Sequence, residues 1–208
     1  MNKKLLALFI LFTFPFLLSS QAQTVTIGKQ VWMSENLNVD KFRNGDVIPE
    51  AKTDEEWKKA GEEGKPAWCY YDNDPKNGAK YGKLYNWYAV NDPRGLAPKG
   101  WHIPSDDEWT ILTNFLGGAK VAGDKMKSKT DWKGGGNGTN SSGFSGLPGG
   151  NRFSNGPFKN ISYFGVWWSS TENNTGDVWT RLLNYKYGNV NRNNDIEAGG
   201  FSVRCLRD

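Results

Sequence analysis

The sequence is short of the residues from which catalytic and metal centres are most often built. It holds one histidine, His102, so no histidine cluster can hold a metal ion. It holds two cysteines, Cys69 and Cys205, and three methionines. Beyond the first 22 residues Leu, Ile and Val are comparatively few, and no later run is apolar enough to span a bilayer. Charge of one sign is lacking too. The 26 Lys and Arg are interspersed with 22 Asp and Glu, whereas a nucleic-acid binder gathers its cations on one face. Nucleic acid is therefore not expected as a partner. There is no internal repeat and no sign of a second domain.

The N-terminus carries the one long apolar run. Met1-Asn2-Lys3-Lys4 leads into about 14 apolar residues, Leu5 to Leu18, followed by the small residues Ser19, Ser20 and Ala22. A basic start, a short apolar core and small residues at the cleavage point make a secretory signal. The run falls short of the roughly 20 residues that a permanent spanning helix needs. Residues 1–22 are thus expected to be removed after Ala22, leaving residues 23–208 as one domain with no membrane span, secreted and extracellular or periplasmic. Loss of Lys3 and Lys4 leaves 24 basic against 22 acidic residues, a charge of +2.

That domain, about 185 residues, holds all ten tryptophans and all 25 glycines. Its core must be largely aromatic, with glycines in tight turns. An even cysteine count in an exported chain predicts a Cys69–Cys205 disulfide, two separately buried thiols being the alternative.

Local signals place several elements. Val25, Ile27 and Val31 alternate about Gly28 as a hairpin. Thr53-Asp54-Glu55-Glu56 is a capping box opening a short charged helix that Gly61 is expected to end. Trp68 to Pro75 reads as an aromatic strand running into a turn, and Tyr81 to Val90 as strand then helix. Ser105-Asp106-Asp107-Glu108 is a second capping box; Trp109, Leu112, Phe115 and Leu116 form an apolar stripe behind it, and Gly117-Gly118 stops the helix. Residues 129–160 are rich in Gly, Asn, Ser and Pro but keep large apolar anchors, so they are expected to be ordered and turn-rich. Strands are expected at 165–170, 177–185 and 200–206, with Phe201, Val203 and Cys205 on one face of the last.

Five strings occur in order: Tyr81-Gly82-Lys83-Leu84-Tyr85-Asn86-Trp87, Gly100-Trp101-His102-Ile103-Pro104-Ser105-Asp106-Asp107-Glu108-Trp109, Ser142 to Gly150, Trp167 to Thr171, and Gly200-Phe201-Ser202-Val203-Arg204-Cys205. Together they resemble the Fibrobacter succinogenes major paralogous domain family over roughly residues 24–208. The resemblance implies an exported bacterial domain and brings no biochemical activity with it. The second and fifth strings are also similar to the formylglycine-generating enzyme fold, itself related in architecture to C-type-lectin-like domains. That resemblance implies an α+β domain with short antiparallel strands, one or two helices and long ordered loops. The enzyme's chemistry does not carry over. It needs two cysteines close together ahead of the terminal strand, and residues 171–199 contain none.

No catalytic residue is nominated. His102, just before a helix cap, is expected to be structural, and capping accounts for Asp106 and Asp107. Binding is the favoured reading, because exported Trp- and Tyr-rich domains use exposed rings as platforms for sugars while Asn and Asp read hydroxyls. The candidates are Trp167 and Trp168 with Asn173, Asn174, Asp177, Asn189, Asn191, Arg192 and Asn193 in the last loops, although Trp167 and Trp168 alternate along a strand and at least one should face the core. Asp72-Asn73-Asp74, or Glu172 with Asn173, Asn174 and Asp177, offers the oxygen ligands that calcium takes, and turn chemistry explains them equally well. No other cofactor is expected. A carbohydrate or cell-surface glycan is the favoured partner, a cell-surface protein the next. The alternatives are a hydrolase of polysaccharide or peptidoglycan, which needs two carboxylates on a cleft, and a structural adhesion module with a flat apolar patch.

Overall fold

The computed structural model describes residues 23–174 and 177–208; the expected signal segment lies outside them. In chain order the elements are β1 (Thr24–Ile27), β2 (Gln30–Met33), α1 (Asp54–Glu62), β3 (Trp68–Cys69), α2 (Pro75–Tyr81), β4 (Leu84–Tyr85), α3 (Trp87–Val90) and β5 (Trp101–His102). There follow α4 (Asp106–Phe115), α5 (Ala119–Met126), β6 (Gly149–Arg152), β7 (Phe158–Ile161), β8 (Phe164–Asn174), β9 (Asp177–Asn184), β10 (Val190–Ile196) and β11 (Leu206–Arg207). The class is α+β. A five-stranded sheet in the order β10-β9-β8-β6-β7, a four-stranded sheet β1-β2-β11-β5 and the pair β3-β4 are antiparallel throughout except for β6 beside β8.

Both capping boxes form. The Thr53 and Ser105 side chains accept from the backbone N–H of Glu56 and Glu108, and those carboxylates reach back to the cap N–H groups. Gly61 is inside α1, which runs on to Glu62. Asp74 and Pro75, expected to make a turn, cap and open α2 instead: the Asp74 carboxylate accepts from Lys76 N–H, and proline has no N–H to waste at the first helical position. Gly28 turns β1 into β2 at φ +63°, and a side chain there would meet the Phe115 ring.

β8 organises the core. Trp167 and Trp168 lie on opposite faces of it, and both are 0% exposed. On one face Trp167 joins Trp32, Trp109 and Phe144, with Trp32 and Trp109 ring centres 4.8 Å apart and Phe144 and Trp167 at 5.7 Å. On the other, Trp168 packs edge-on to Phe201 at 4.6 Å among Tyr85, Trp87 and Val203. The core is aromatic, as the composition required.

The structure corrects three further expectations. Cys69 and Cys205 are free thiols. Cys69 sits with Trp57, Tyr71 and Leu84, and Cys205 in the larger cluster around Trp168, so each fills its own apolar gap. Phe115 is 63% exposed and leaves the stripe, because α4 buries only Trp109, Leu112 and the residues beside them. Residues 190–196, read as loop, are the edge strand β10, paired with β9 over its length. Its Asn-rich sequence has little strand propensity, and the ladder overrides it. The segment after Gly200 keeps the expected alternation, with Phe201, Val203 and Cys205 in one cluster and Leu206 in the other. Its pairing is mostly by isolated bridges, Tyr85 to Phe201 and Trp167 to Ser202.

Candidate functional site

A cavity of about 500 Å³ opens on the face of the five-stranded sheet that carries Val166. Side chains alternate along a strand, so Phe164 and Val166 of β8 share this face. Leu182 of β9 stands opposite Val166 in register, and Phe201 completes an apolar floor. Polar groups ring it. Asn151 and Asn160 come from β6 and β7, and Asn155 from the loop between them. Asn193, Asn194 and Asp195 come from β10, with Asp177 at the start of β9. Gly150, at φ +68°, brings β6 against the Lys159 carbonyl too closely for any side chain.

The polar rim is partly pre-set by internal bonds. Asn160 Nδ2 donates to Asn151 Oδ1 at 2.7 Å, and Asn194 Nδ2 to Asp177 Oδ2 at 2.8 Å. The Asp195 carboxylate accepts from the Thr180 hydroxyl at 2.9 Å. Burial pushes this carboxyl above the ordinary carboxylate range; the Thr180 bond pulls the other way, and the charge of Asp177 adds to the rise. Arg152 also borders the cavity, but its guanidinium is fully buried and donates to the carbonyls of Ala51, Thr53 and Gly156.

Of the nine residues expected from the sequence to meet a ligand, Asp177 and Asn193 are the two among the described side chains that line this cavity. Trp167 and Trp168 are core residues, their indole N–H groups donating to Asn36 Oδ1 at 2.8 Å and the Tyr85 carbonyl at 2.7 Å. Neither ring can serve as an exposed platform. Arg192 holds Asp106 through Nε at 3.0 Å and Nη2 at 2.8 Å, and stacks 3.2 Å over the centre of the Trp179 ring. Asn189 precedes β10 and bonds Asn191. Asn173 lies half-buried on β8, and Asn174 ends that strand in register with Asp177. Asn151, Asn155, Asn160 and Asp195 went unseen. The first three belong to a stretch legible only as turn-rich, and the last to a strand not recognised.

Asp72 and Asn73 both adopt positive φ, and Asp74 caps α2. Among the described residues no group of three or more His, Cys, Asp or Glu side chains is placed to hold a metal ion. His102 has a structural setting: Nε2 lies 2.9 Å from Glu108 Oε1 and Nδ1 2.9 Å from Asp208 Oδ1. Asp106 is bound by Arg181 and Arg192. Burial pushes its carboxyl up, and the bonds from Arg192 and Arg181 outweigh that and hold it below the usual range. An apolar surface patch is formed by the exposed Ile111 and Phe115 of α4 beside Ile27 and Gly28, none of which lines the cavity. No described helix is long and apolar enough to cross a membrane.

No curated protein matches the chain. The model of the Fibrobacter succinogenes major domain family matches residues 25–207, the span over which the strings from Tyr81 to Cys205 build both faces of the core. The chain belongs to the Fibrobacter succinogenes major domain family.

Proposed function

We propose that this is an exported, non-enzymatic binding domain whose ligand is a carbohydrate or cell-surface glycan, held in the cavity of the five-stranded sheet. The observation that carries the reading is the combination of amide and carboxylate side chains around a floor of Phe164 and Phe201. Sugars present apolar C–H faces to rings and hydroxyl pairs to Asn and Asp, and binding sites of this kind join an apolar wall to a few placed polar groups. The apolar run before Gln23 supports export, and short antiparallel strands with two longer helices and extended loops suit a C-type-lectin-like fold.

A glycan array probed with the purified protein, with calcium and with chelator, tests this. Reproducible binding that Asn193→Ala abolishes while the circular dichroism spectrum is unchanged supports it; loss in chelator adds a metal to the site. A blank array removes the carbohydrate reading and favours protein adhesion through the Ile111–Phe115 patch.

A second reading, hydrolysis of polysaccharide or peptidoglycan, draws on Asp177 and Asp195 at one cavity, with Asp195 raised by burial as a general acid needs. Release of reducing ends from a polysaccharide, lost in Asp195→Asn, would favour it.

A further inference from the structure

We propose that the carbohydrate bound in this cavity is an amino sugar with a free ammonium group, and that Asp195 receives the ammonium. The inference rests on the carbohydrate reading of the same cavity and narrows its ligand. The described lining residues include two carboxylates, Asp177 and Asp195, and one cation, Arg152. Arg152 is fully buried and has its own counter-ion in Asp54. Its N–H groups are taken by three carbonyls and by Asp54 Oδ1 at 3.3 Å. Asp195 forms no ion pair with any described residue; the Thr180 hydroxyl occupies Oδ2, and Oδ1 has no protein donor among them. Asp177 is held on one oxygen by Asn194, at the end of β9.

A half-buried carboxylate without a cation is costly, and a ligand ammonium supplies both the missing charge and hydrogen-bond donors. The same charges repel uronic acids, sulfated sugars and phosphorylated sugars. Neutral sugars keep the contacts with the Phe164 and Phe201 rings and with the amides, and donate a hydroxyl to the carboxylate, but bring no opposite charge.

Calorimetric titration of the full protein with three tetrasaccharides decides the matter: β-linked glucosamine, its N-acetylated form, and β-linked glucose, in low salt at a mildly acid pH that keeps the amine protonated. The amine form should bind about tenfold tighter than the other two, a margin that added salt erodes. Asp195→Asn keeps an acceptor for Thr180 and should bring the amine form down to the level of the neutral one. Equal binding of all three overturns the amine inference and leaves carbohydrate binding standing. A preference for the amine form that survives Asp195→Asn overturns the assignment to Asp195. No binding of any tetrasaccharide overturns this inference and counts against the carbohydrate reading itself.

Discussion

Arg181 Nη1 donates to Asp106 Oδ1 at 2.7 Å, tying the first turn of α4 to the middle of β9. Arg181 is buried, and its Nη2 also donates to the Asp106 carbonyl at 2.9 Å. Removing the carboxylate leaves a buried guanidinium without its anion. Asp106→Ala is therefore expected to lose about 3–5 kcal/mol of stability. Chemical denaturation of the variant beside the parent measures this; a loss below about 1 kcal/mol, the worth of an exposed pair, would mean that water reaches Arg181.

Trp168→Ala and Asn193→Ala should separate folding from binding. Trp168 is fully buried against Phe201, so its truncation is expected to cost about 3–5 kcal/mol through lost packing and the cavity left behind. Asn193, exposed on the cavity rim, should change stability by less than about 0.5 kcal/mol. Urea midpoints of the two variants, with the denaturant slopes held in view, check the contrast.

His102 gives stability a defined pH dependence. Burial lowers its affinity for a proton, but the bonds to Asp208 and Glu108 and the Glu108 charge outweigh burial, so it titrates above its ordinary 6.5. A raised folded-state value means that its stabilisation is complete below 6.5 and is lost as pH rises through the folded value. Glu108 moves the other way. Burial pushes it up, and the Ser105 backbone N–H and His102 more than reverse that, so its contribution is present above its ordinary 4.5 and fades as pH falls below it. The melting temperature of the parent relative to His102→Asn should thus be greatest between about pH 4.5 and 6.5 and converge in mild alkali. A difference that is flat with pH would show that His102 acts through packing alone.

The thiols should be silent in the native protein. Burial pushes both Cys69 and Cys205 up to about 12, which leaves almost no thiolate at neutral pH. A disulfide-exchange thiol reagent is expected to titrate neither residue before unfolding and two equivalents in denaturant. No titratable thiol in denaturant without reductant would mean that the pair is oxidised.

Elements with local instructions were legible. Thr53 and Ser105 announced their helices because a capping box is closed by residues three apart, and Gly28 announced its hairpin because the turn needs positive φ. The alternation of Phe201, Val203 and Cys205 showed the last segment's faces. The α+β class and the family followed from such strings. β10 was not legible, since Asn191 to Asp195 carry no strand preference and owe their conformation to pairing with β9.

The sequence by itself determined the starts of α1 and α4, the aromatic character of the core, the family and the absence of any histidine or cysteine cluster, because each depends on composition or on neighbours along the chain. Only the tertiary structure decided what the side chains meet. It buried both Trp167 and Trp168, one on each face of β8, and put Cys69 and Cys205 in separate clusters. It also gathered Asn151, Asn160 and Asp195 around one cavity. Those outcomes depend on strand register and on which faces of a sheet are covered, and both are set by contacts between residues far apart in the chain.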